Sequence, residues 1–202
     1  MNLNFENRKI LVTGAGKGIG RGLTHELVKH GAHVIAVSRT QADLDKLKSE
    51  LGDKVTTITL DIANWDAVES ALPESVLSGV TGLVNNAAIA KLDKFIDAKS
   101  EDFDNHFNIN VKAMMHVGQL VTRQMIKEKN GGAVVNVSSQ ASQAALDNHT
   151  IYCASKAAVD HLTRVMALEL GPHNVSFRIP YISWNMSHII LLLSYDSHDM
   201  SH

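Results

Sequence analysis

The hydrophobic residues of the chain fall into short runs, which alternate with segments where apolar residues recur every three or four positions. Five runs predict β-strands, at residues 9–13, 34–38, 55–60, 82–85 and 133–137. These runs are apolar on both faces, which is typical of strands that are covered on both sides and are usually parallel.

The segments between these runs predict helices that pack on the sheet. Ile19, Leu23 and Leu27 form one apolar stripe with helical periodicity. Two later stripes consist of Phe103, Phe107, Val111 and Met114, and of Ala158, Leu162, Val165 and Met166. Regular alternation of strand and helix predicts right-handed βαβ units, and therefore an α/β fold of the Rossmann type with a doubly wound parallel sheet.

Composition and charge narrow the classes of function. The chain has 202 residues, of which 45% are hydrophobic and 20% charged, and these values suit one globular domain. The formal net charge of -2 provides no field to attract nucleic acid. The longest aliphatic run, at 189–193, is far shorter than the ~20 residues that span a bilayer.

The termini and the cysteine content favour a cytoplasmic location. The N-terminal residues contain no apolar segment of the kind found in signal peptides. Cys153 is the only cysteine, so a reducing compartment fits best. The eleven histidines show no spacing of metal ligands, and we expect no metal site.

A glycine-rich turn, TGAGKGIG at 13–20, follows the first predicted strand and leads into the first helix. The N–H groups and the dipole of a helix N-terminus bind phosphate, and glycines let the backbone approach a ligand closely. The spacing is GxxxGxG through Gly14, Gly18 and Gly20, since Ile19 breaks the GxGxxG pattern. A turn without a ligand could contain the same glycines, but their position between strand and helix favours a dinucleotide.

Four motifs in this order resemble the short-chain dehydrogenase/reductase family. After the glycine turn they are Asn85-Asn86-Ala87, Ser138-Ser139 and Tyr152-x-x-x-Lys156, and the resemblance covers roughly residues 7–175. It implies an oxidoreductase with a nicotinamide cofactor. The cofactor contacts that it implies around the phosphates and the nicotinamide are Gly14, Gly18, Ile19, Gly20, Asn86, Ala87, Tyr152 and Lys156.

The end of the second predicted strand indicates which nicotinamide cofactor binds. An NAD site usually has an acid there that accepts from the ribose 2′-OH. This chain has Ser38, Arg39 and Thr40 instead, and all three are predicted cofactor contacts. Arg39 and Lys17 can both make charge-assisted bonds to a 2′-phosphate, although each could also be a solvated surface cation. Together they favour NADP(H) over NAD(H). Asp61 matches the family residue that contacts adenine, and it could also be a helix N-cap.

Tyr152 and Lys156 form the candidate catalytic pair, because a spacing of four places both side chains on one face of a helix. A free tyrosine titrates near pKa ~10, but an adjacent ammonium stabilises the phenolate, so the hydroxyl can exchange a proton with a carbonyl or alcohol oxygen. The resemblance implies that Lys156 holds the nicotinamide ribose, that Ser139 rather than Ser138 bonds the substrate oxygen, and that Asn110 anchors a supporting water. Considered alone, Asn110 would be interpreted as a helix-surface amide.

The segment between Ser139 and Tyr152 is polar and favours a hydroxylated substrate, although an ordinary polar loop would be equally hydrophilic. Gln140 and His149 are the predicted substrate contacts, with Ser139 and Tyr152. Cys153 has no paired base, so packing explains it better than nucleophilic catalysis.

A finer resemblance narrows the substrate class. VTGAGKGIGRG, AVSRTQADLD, LVNNAA, VNVSSQ and VMALELGPH resemble a branch of the family that reduces sugar ketones and α-dicarbonyls. The resemblance implies NADPH-dependent reduction of L-xylulose to xylitol, and a homotetramer.

The composition changes after residue 175. The family's sixth strand, its Asn-x-x-x-Pro-Gly segment and its seventh strand are not recognisable there. The sequence therefore predicts a cofactor-binding catalytic core at 1–175, a divergent tail at 176–202 and a sheet that is incomplete at its C-terminal edge. Two functions stay open: an active NADPH-dependent carbonyl reductase, and a truncated cofactor-binding isoform with little or no activity.

Overall fold

The computed structural model describes residues 3–181 and 186–194 and contains one sheet of six parallel strands. The strands are β1 Lys9–Thr13, β2 His33–Ser38, β3 Val55–Thr59, β4 Val80–Asn85, β5 Gly132–Asn136 and β6 Val175–Arg178. Their order across the sheet is β3-β2-β1-β4-β5-β6, and every neighbouring pair is parallel. The predicted Rossmann-type doubly wound sheet is confirmed, as are the five predicted strands: β1 has the predicted bounds, and the other four differ from the prediction by one or two residues at one or both ends.

Helices cover both faces of the sheet. They are α1 Gly18–Lys29, α2 Gln41–Leu51, α3 Trp65–Ala71, α4 Glu74–Leu77, α5 Ser100–His106, α6 Met114–Glu128, α7 Thr150–Leu170 and α8 Met186–Ser194. Side chains of α1, α2 and α8 form one apolar core with the sheet, and those of α3, α4, α6 and α7 form the other. None of the helices in the described ranges is long and apolar enough to cross a membrane.

The strand order reverses between β1 and β4. From β1 the chain proceeds through β2 and β3 toward one edge, and it then returns to place β4 on the other side of β1. The connections that leave β1 and β4 therefore diverge, and a crevice opens at the carboxyl ends of these two strands. This geometry places the glycine turn after β1 opposite the Asn85-Asn86-Ala87 segment at the end of β4.

The second and third predicted apolar stripes do not match the buried faces of their helices. Leu23 and Leu27 of the first stripe are buried, but Phe103 is 46% exposed and Val165 is 38% exposed. A π-helical segment, Phe107–Ala113, interrupts the second stripe and rotates the residues that follow it. The buried face of α7 carries polar side chains as well as apolar ones, so hydrophobicity alone does not mark it.

A sixth strand, which is not recognisable in the sequence after residue 175, is present in the structure. Strand β6 pairs with β5 in parallel register from Gly132↔Val175 to Val135↔Arg178. It has only four residues, which is too short for a periodicity to be visible in the sequence. Helix α8 then packs against α1 and β5, and part of the predicted tail thus belongs to the folded domain. Within the described ranges β6 is the last strand of the sheet.

Shortening an α8 side chain that faces the sheet should therefore destabilise the whole domain. Leu193 is 2% exposed and lies in the same core cluster as Leu23 and Leu27 of α1. We expect Leu193→Ala to lower the free energy of unfolding by about 2–5 kcal/mol, because it leaves a cavity. Urea unfolding measures the effect, with the half-buried Leu191→Ala as control. Equal, small losses in both variants would contradict the packing of α8.

Candidate active site

A cleft of about 370 Å³ opens at the carboxyl ends of the central strands. Eight of the predicted cofactor residues line it: Gly14, Lys17, Ser38, Arg39, Thr40, Asp61, Asn86 and Ala87. Sequence reasoning missed other lining residues, which are Val37, Asp43, Leu60, Ile62, Ala88, Ile89 and Ile109. Most of these are apolar, and in the sequence they resemble ordinary core residues.

The glycine turn is closed so tightly that three of its positions, Gly14, Gly16 and Gly20, leave no room for a side chain. Gly14 has φ +66°, and a Cβ there would lie 2.8 Å from Asn86 Nδ2. At Gly20 a Cβ would lie 2.3 Å from the carbonyl oxygen of Gly14. Gly18 differs, since it also has a positive φ, +53°, but faces open space. Ile19, in the first turn of α1, does not line the cleft and packs against the core on the α1 side of the sheet.

The start of α1 provides a site for an anion. Its N-cap residue, Lys17, makes no side-chain capping bond, and no acid lies in the first turn. The first N–H groups of the helix therefore remain available to a ligand. Lys17 Nζ lies 3.3 Å from Asp43 Oδ2. Arg39 is exposed and forms no ion pair with any residue of the described ranges.

Asp61 lies at the cleft and does not cap the following helix. Its Oδ1 accepts from the N–H of Ala63 at 3.0 Å. The N-cap of α3 is Asn64 instead, whose side chain accepts from Ala67 N. The carboxylate of Asp61 is thus placed on the wall of the cleft, where a ligand could contact it.

The first turns of α7 carry the candidate catalytic pair. Tyr152 is half-buried and Lys156 is 3% exposed, with its Nζ 5.9 Å from the centroid of the Tyr152 ring. The ammonium donates to the carbonyl oxygen of Val137, at the end of β5, at 2.8 Å. Burial lowers the pKa of Lys156 from 10.5 to about 8, and the carboxylate of Asp160 opposes this shift. Most of the Lys156 side chains are therefore still charged at neutral pH.

Asn110 is buried and joins the cleft wall to α7, so it is not the helix-surface amide that its local sequence alone would suggest. It lies in the π-helical segment and is 2% exposed. Its Oδ1 accepts from Ile89 N at 2.9 Å, and its Nδ2 donates to Ile89 O and to Ser155 Oγ, both at 3.0 Å. The π-helical turn is what directs this amide inward, and no local sequence pattern predicts that turn.

The two serines after β5 have different environments. Ser138 is fully buried, whereas Ser139 is half-buried and its Oγ accepts from Ala141 N at 3.2 Å. Ser139 is therefore the one that a ligand can reach. The short 3-10 turn Gln140–Ser142 follows it and packs against α7.

The remaining predicted substrate contacts lie near the start of α7. The His149 ring is 6.2 Å from the Tyr152 ring, and the Gln140 side chain is exposed. Cys153 is a free thiol of intermediate exposure whose Sγ lies 3.9 Å from Ala144 O. In the described part of the chain, no three His, Cys, Asp or Glu side chains are grouped to hold a metal ion.

A parallel sheet with a glycine-turn cleft at its switch point and a buried lysine behind a tyrosine defines a dinucleotide-dependent oxidoreductase. The family model for short chain dehydrogenases matches residues 8–181, and the chain belongs to that family.

Three similar proteins illustrate the relationship. The chain is 54% identical to an L-xylulose reductase of Mesocricetus auratus over 175 residues, which cover 87% of this chain and 70% of that protein. It is 49% identical to a D-erythrulose reductase of Gallus gallus over 178 residues, which cover 86% and 70%. The crystal structure of serine dehydrogenase from Escherichia coli superposes with a TM-score of 0.85 at 26% identity, covering 94% of this chain and 93% of that one.

The contacts at Gly20 predict that even one added methyl group will damage the turn. We expect Gly20→Ala to lower the free energy of unfolding by about 1–3 kcal/mol, because the backbone oxygen of Gly14 cannot move aside cheaply. Gly171→Ala is the matched control, since a Cβ there meets no atom within 4 Å. Thermal unfolding compares the two variants, and a Gly20→Ala protein as stable as the control would refute the tight closure.

Proposed function

We propose that the protein is an NADPH-dependent carbonyl reductase that transfers hydride between NADP(H) and a small sugar ketone or α-dicarbonyl, as in the reduction of L-xylulose to xylitol. One observation carries the proposal. The buried ammonium of Lys156 lies behind Tyr152 on α7, and Asn110 joins that helix to Ile89 in the wall of the cleft that Lys17 and Arg39 line.

The residues of the cleft fit a phosphorylated dinucleotide. The uncapped start of α1 and the open space in front of Gly18 suit a pyrophosphate. Lys17 and Arg39 supply two positive charges for a 2′-phosphate. The ammonium of Lys17 forms an ion pair with the carboxylate of Asp43 at the cleft. A 2′-phosphate could take the place of that carboxylate. Asp61 is placed to accept a hydrogen bond from adenine.

Proton transfer is assigned to Tyr152. When bound, the nicotinamide ring supplies or accepts the hydride. The Tyr152 hydroxyl gives its proton to the carbonyl oxygen during reduction, and the charged Lys156 stabilises the phenolate that remains. Ser139 donates a hydrogen bond to the same oxygen. Asn110 keeps α7 and the Ile89 wall in register, through its bonds to Ser155 and Ile89.

The substrate class rests on the relatives and on the polar segment before α7. The names of the two reductases above both refer to short-chain ketoses. Gln140 and His149 offer hydrogen-bonding groups next to Ser139 and Tyr152, and such groups suit a hydroxylated substrate. The homotetramer and the cytoplasmic location stay predictions. The exposed apolar side chains of Val165 and Leu168 on α7 are contacts that would support subunit association.

The two cations predict a preference for NADPH over NADH. We expect Arg39→Asp to weaken NADPH binding about ten- to a hundredfold, because one charge-assisted bond is lost and a like charge is introduced. NADH binding should change much less. Fluorescence titration of both cofactors measures this, with Lys54→Asp as control because Lys54 precedes β3 at the opposite end of the sheet. Equal affinities for NADPH and NADH in the unmutated chain would exclude the assignment.

The assignment of Tyr152 predicts which step fails when its hydroxyl is removed. The unmutated chain should oxidise NADPH with L-xylulose or diacetyl. Tyr152→Phe should lose this turnover by at least about a hundredfold and retain NADPH binding, since only the phenolic proton donor is removed. Absence of turnover in the unmutated chain, with intact NADPH binding, would instead indicate the cofactor-binding isoform. Full turnover in Tyr152→Phe would show that another group is the acid.

A further inference from the structure

Asp160 is a buried carboxylate that the proposed proton transfer does not use. It is 1% exposed and lies on α7, four residues after Lys156. Residues at this spacing lie on the same face of a helix. Aspartates are rarely this buried unless a charge or a hydrogen bond compensates them, so its surroundings call for an explanation.

One oxygen of Asp160 is tied to the turn that follows Ser139. Gln143 Nε2 donates to Asp160 Oδ2 at 2.7 Å. The same turn is closed by Ser142 N–H on Ser139 O at 3.0 Å and by Gln143 N–H on Gln140 O at 2.9 Å. The carboxylate thus connects α7, which carries the proton donor, to the turn that carries the substrate-binding serine.

The other oxygen of Asp160, Oδ1, is not engaged by Gln143, and the negative charge of the carboxylate acts on Lys156. Asp160 Oδ1 has no hydrogen-bond donor at normal distance among the residues that the structure describes, and the Tyr181 hydroxyl lies close enough to interact with the carboxylate. Burial disfavours the ammonium form of Lys156, and the charge of Asp160 is the interaction that favours it. Because both side chains are buried, water screens the attraction between the Asp160 carboxylate and the Lys156 ammonium only weakly.

The other ionisable groups near this pair do not replace Asp160. Tyr181, after β6, lies beside Asp160 with its pKa raised, first by burial and then by that carboxylate, so it is neutral at pH 7. Arg164, on α7, also lies beside Tyr181 and is exposed. From the π-helical segment, Lys112 is directed toward Trp65, 5.6 Å from its ring centroid. In β6, Phe177 belongs to the core on the α7 side, so Arg178 lies on the opposite face.

We propose that Asp160 is a positioning residue of the reductase site: its buried carboxylate stabilises the ammonium form of Lys156 and, through Gln143, fixes the turn that carries Ser139. The inference rests on the proposed function for its catalytic meaning, but its electrostatic part concerns the cofactor-free protein. The two effects can be separated, because Asp160→Asn keeps an acceptor for Gln143 without the charge, and Gln143 can be removed without touching the charge.

The charge is tested by titrating Lys156 directly. NMR of 13C-labelled lysine in the cofactor-free protein follows its ε-carbon, which is assigned by its loss in Lys156→Met. We expect Asp160→Asn and Asp160→Ser to lower the Lys156 pKa by about one unit, and Gln143→Ala to leave it unchanged. Glu169→Gln is the matched control, since it removes an exposed carboxylate from the same helix.

Kinetics then test the two effects in the active enzyme. In Asp160→Asn the alkaline limb of the pH profile for carbonyl reduction should move to lower pH, because Lys156 loses its proton earlier. In Gln143→Ala the profile should stay in place while KM for the carbonyl substrate rises roughly three- to tenfold, as for one lost hydrogen bond. A merely structural role would lower thermal stability without shifting the profile.

The outcomes are distinguishable. Circular dichroism first shows which of the two charge-removing variants keeps the fold of the unmutated protein. If the pKa of Lys156 is unchanged in that variant, the inference is overturned, whatever the activity. A lowered Lys156 pKa in a protein that reduces no carbonyl supports the electrostatic role of Asp160 and overturns the proposed function instead. Equal titration shifts in Asp160→Asn and Glu169→Gln would overturn the claim that burial makes this carboxylate special.

Discussion

The hydroxyl of Thr13 joins the two strands between which the cofactor cleft opens. Its Oγ1 accepts from the N–H groups of Asn86 at 3.0 Å and Ala87 at 3.1 Å, and Asn86 Nδ2 donates to Thr13 O at 3.0 Å. Where parallel strands diverge, such backbone groups lose their sheet partners and need others. Because this bond brings Asn86 so close, Gly14 must lack a side chain, and the position of the glycine turn and of α1 follows.

A buried network of amide side chains determines how α7, which carries Tyr152 and Lys156, sits on the sheet. Asn85 Nδ2 donates to Asn136 Oδ1, and Asn136 Nδ2 donates to Thr163 Oγ1, both at 2.9 Å. The network runs from β4 through β5 to α7. Apolar contacts alone would allow a helix to slide on a sheet, whereas directional bonds in a dry interior select one register. That register brings Lys156 to the carbonyl of Val137 and so determines where the ammonium lies behind Tyr152.

Local patterns predicted those parts of the site that depend on local geometry. The glycine turn is a strand–turn–helix unit, and Tyr152 and Lys156 share one helix face, so spacing alone brought their residues together. Asp43 was missed because its partner, Lys17, lies on another element. Asp160 was missed because its burial and its bond to Gln143 depend on how the turn after Ser139 packs against α7. Strand β6 was missed for a similar reason, since its pairing with β5 rather than its composition makes it a strand.

The half of the site proposed to bind the cofactor and the half proposed to transfer the proton depend on different physical properties, and the residues after Asn174 support the second half. The cofactor half needs backbone space and exposed cations, which β1, β2 and β4 provide. The proton-transfer half needs a buried α7, and Phe177 of β6 packs in the same core cluster as Val159 and Met166 of that helix. The N–H of Ser138 also donates to Pro180 O at 3.1 Å, so the segment after β6 holds the residue next to Ser139. Phe177 and Pro180 therefore support α7 and the segment beside Ser139, the two elements that carry the proposed proton-transfer residues.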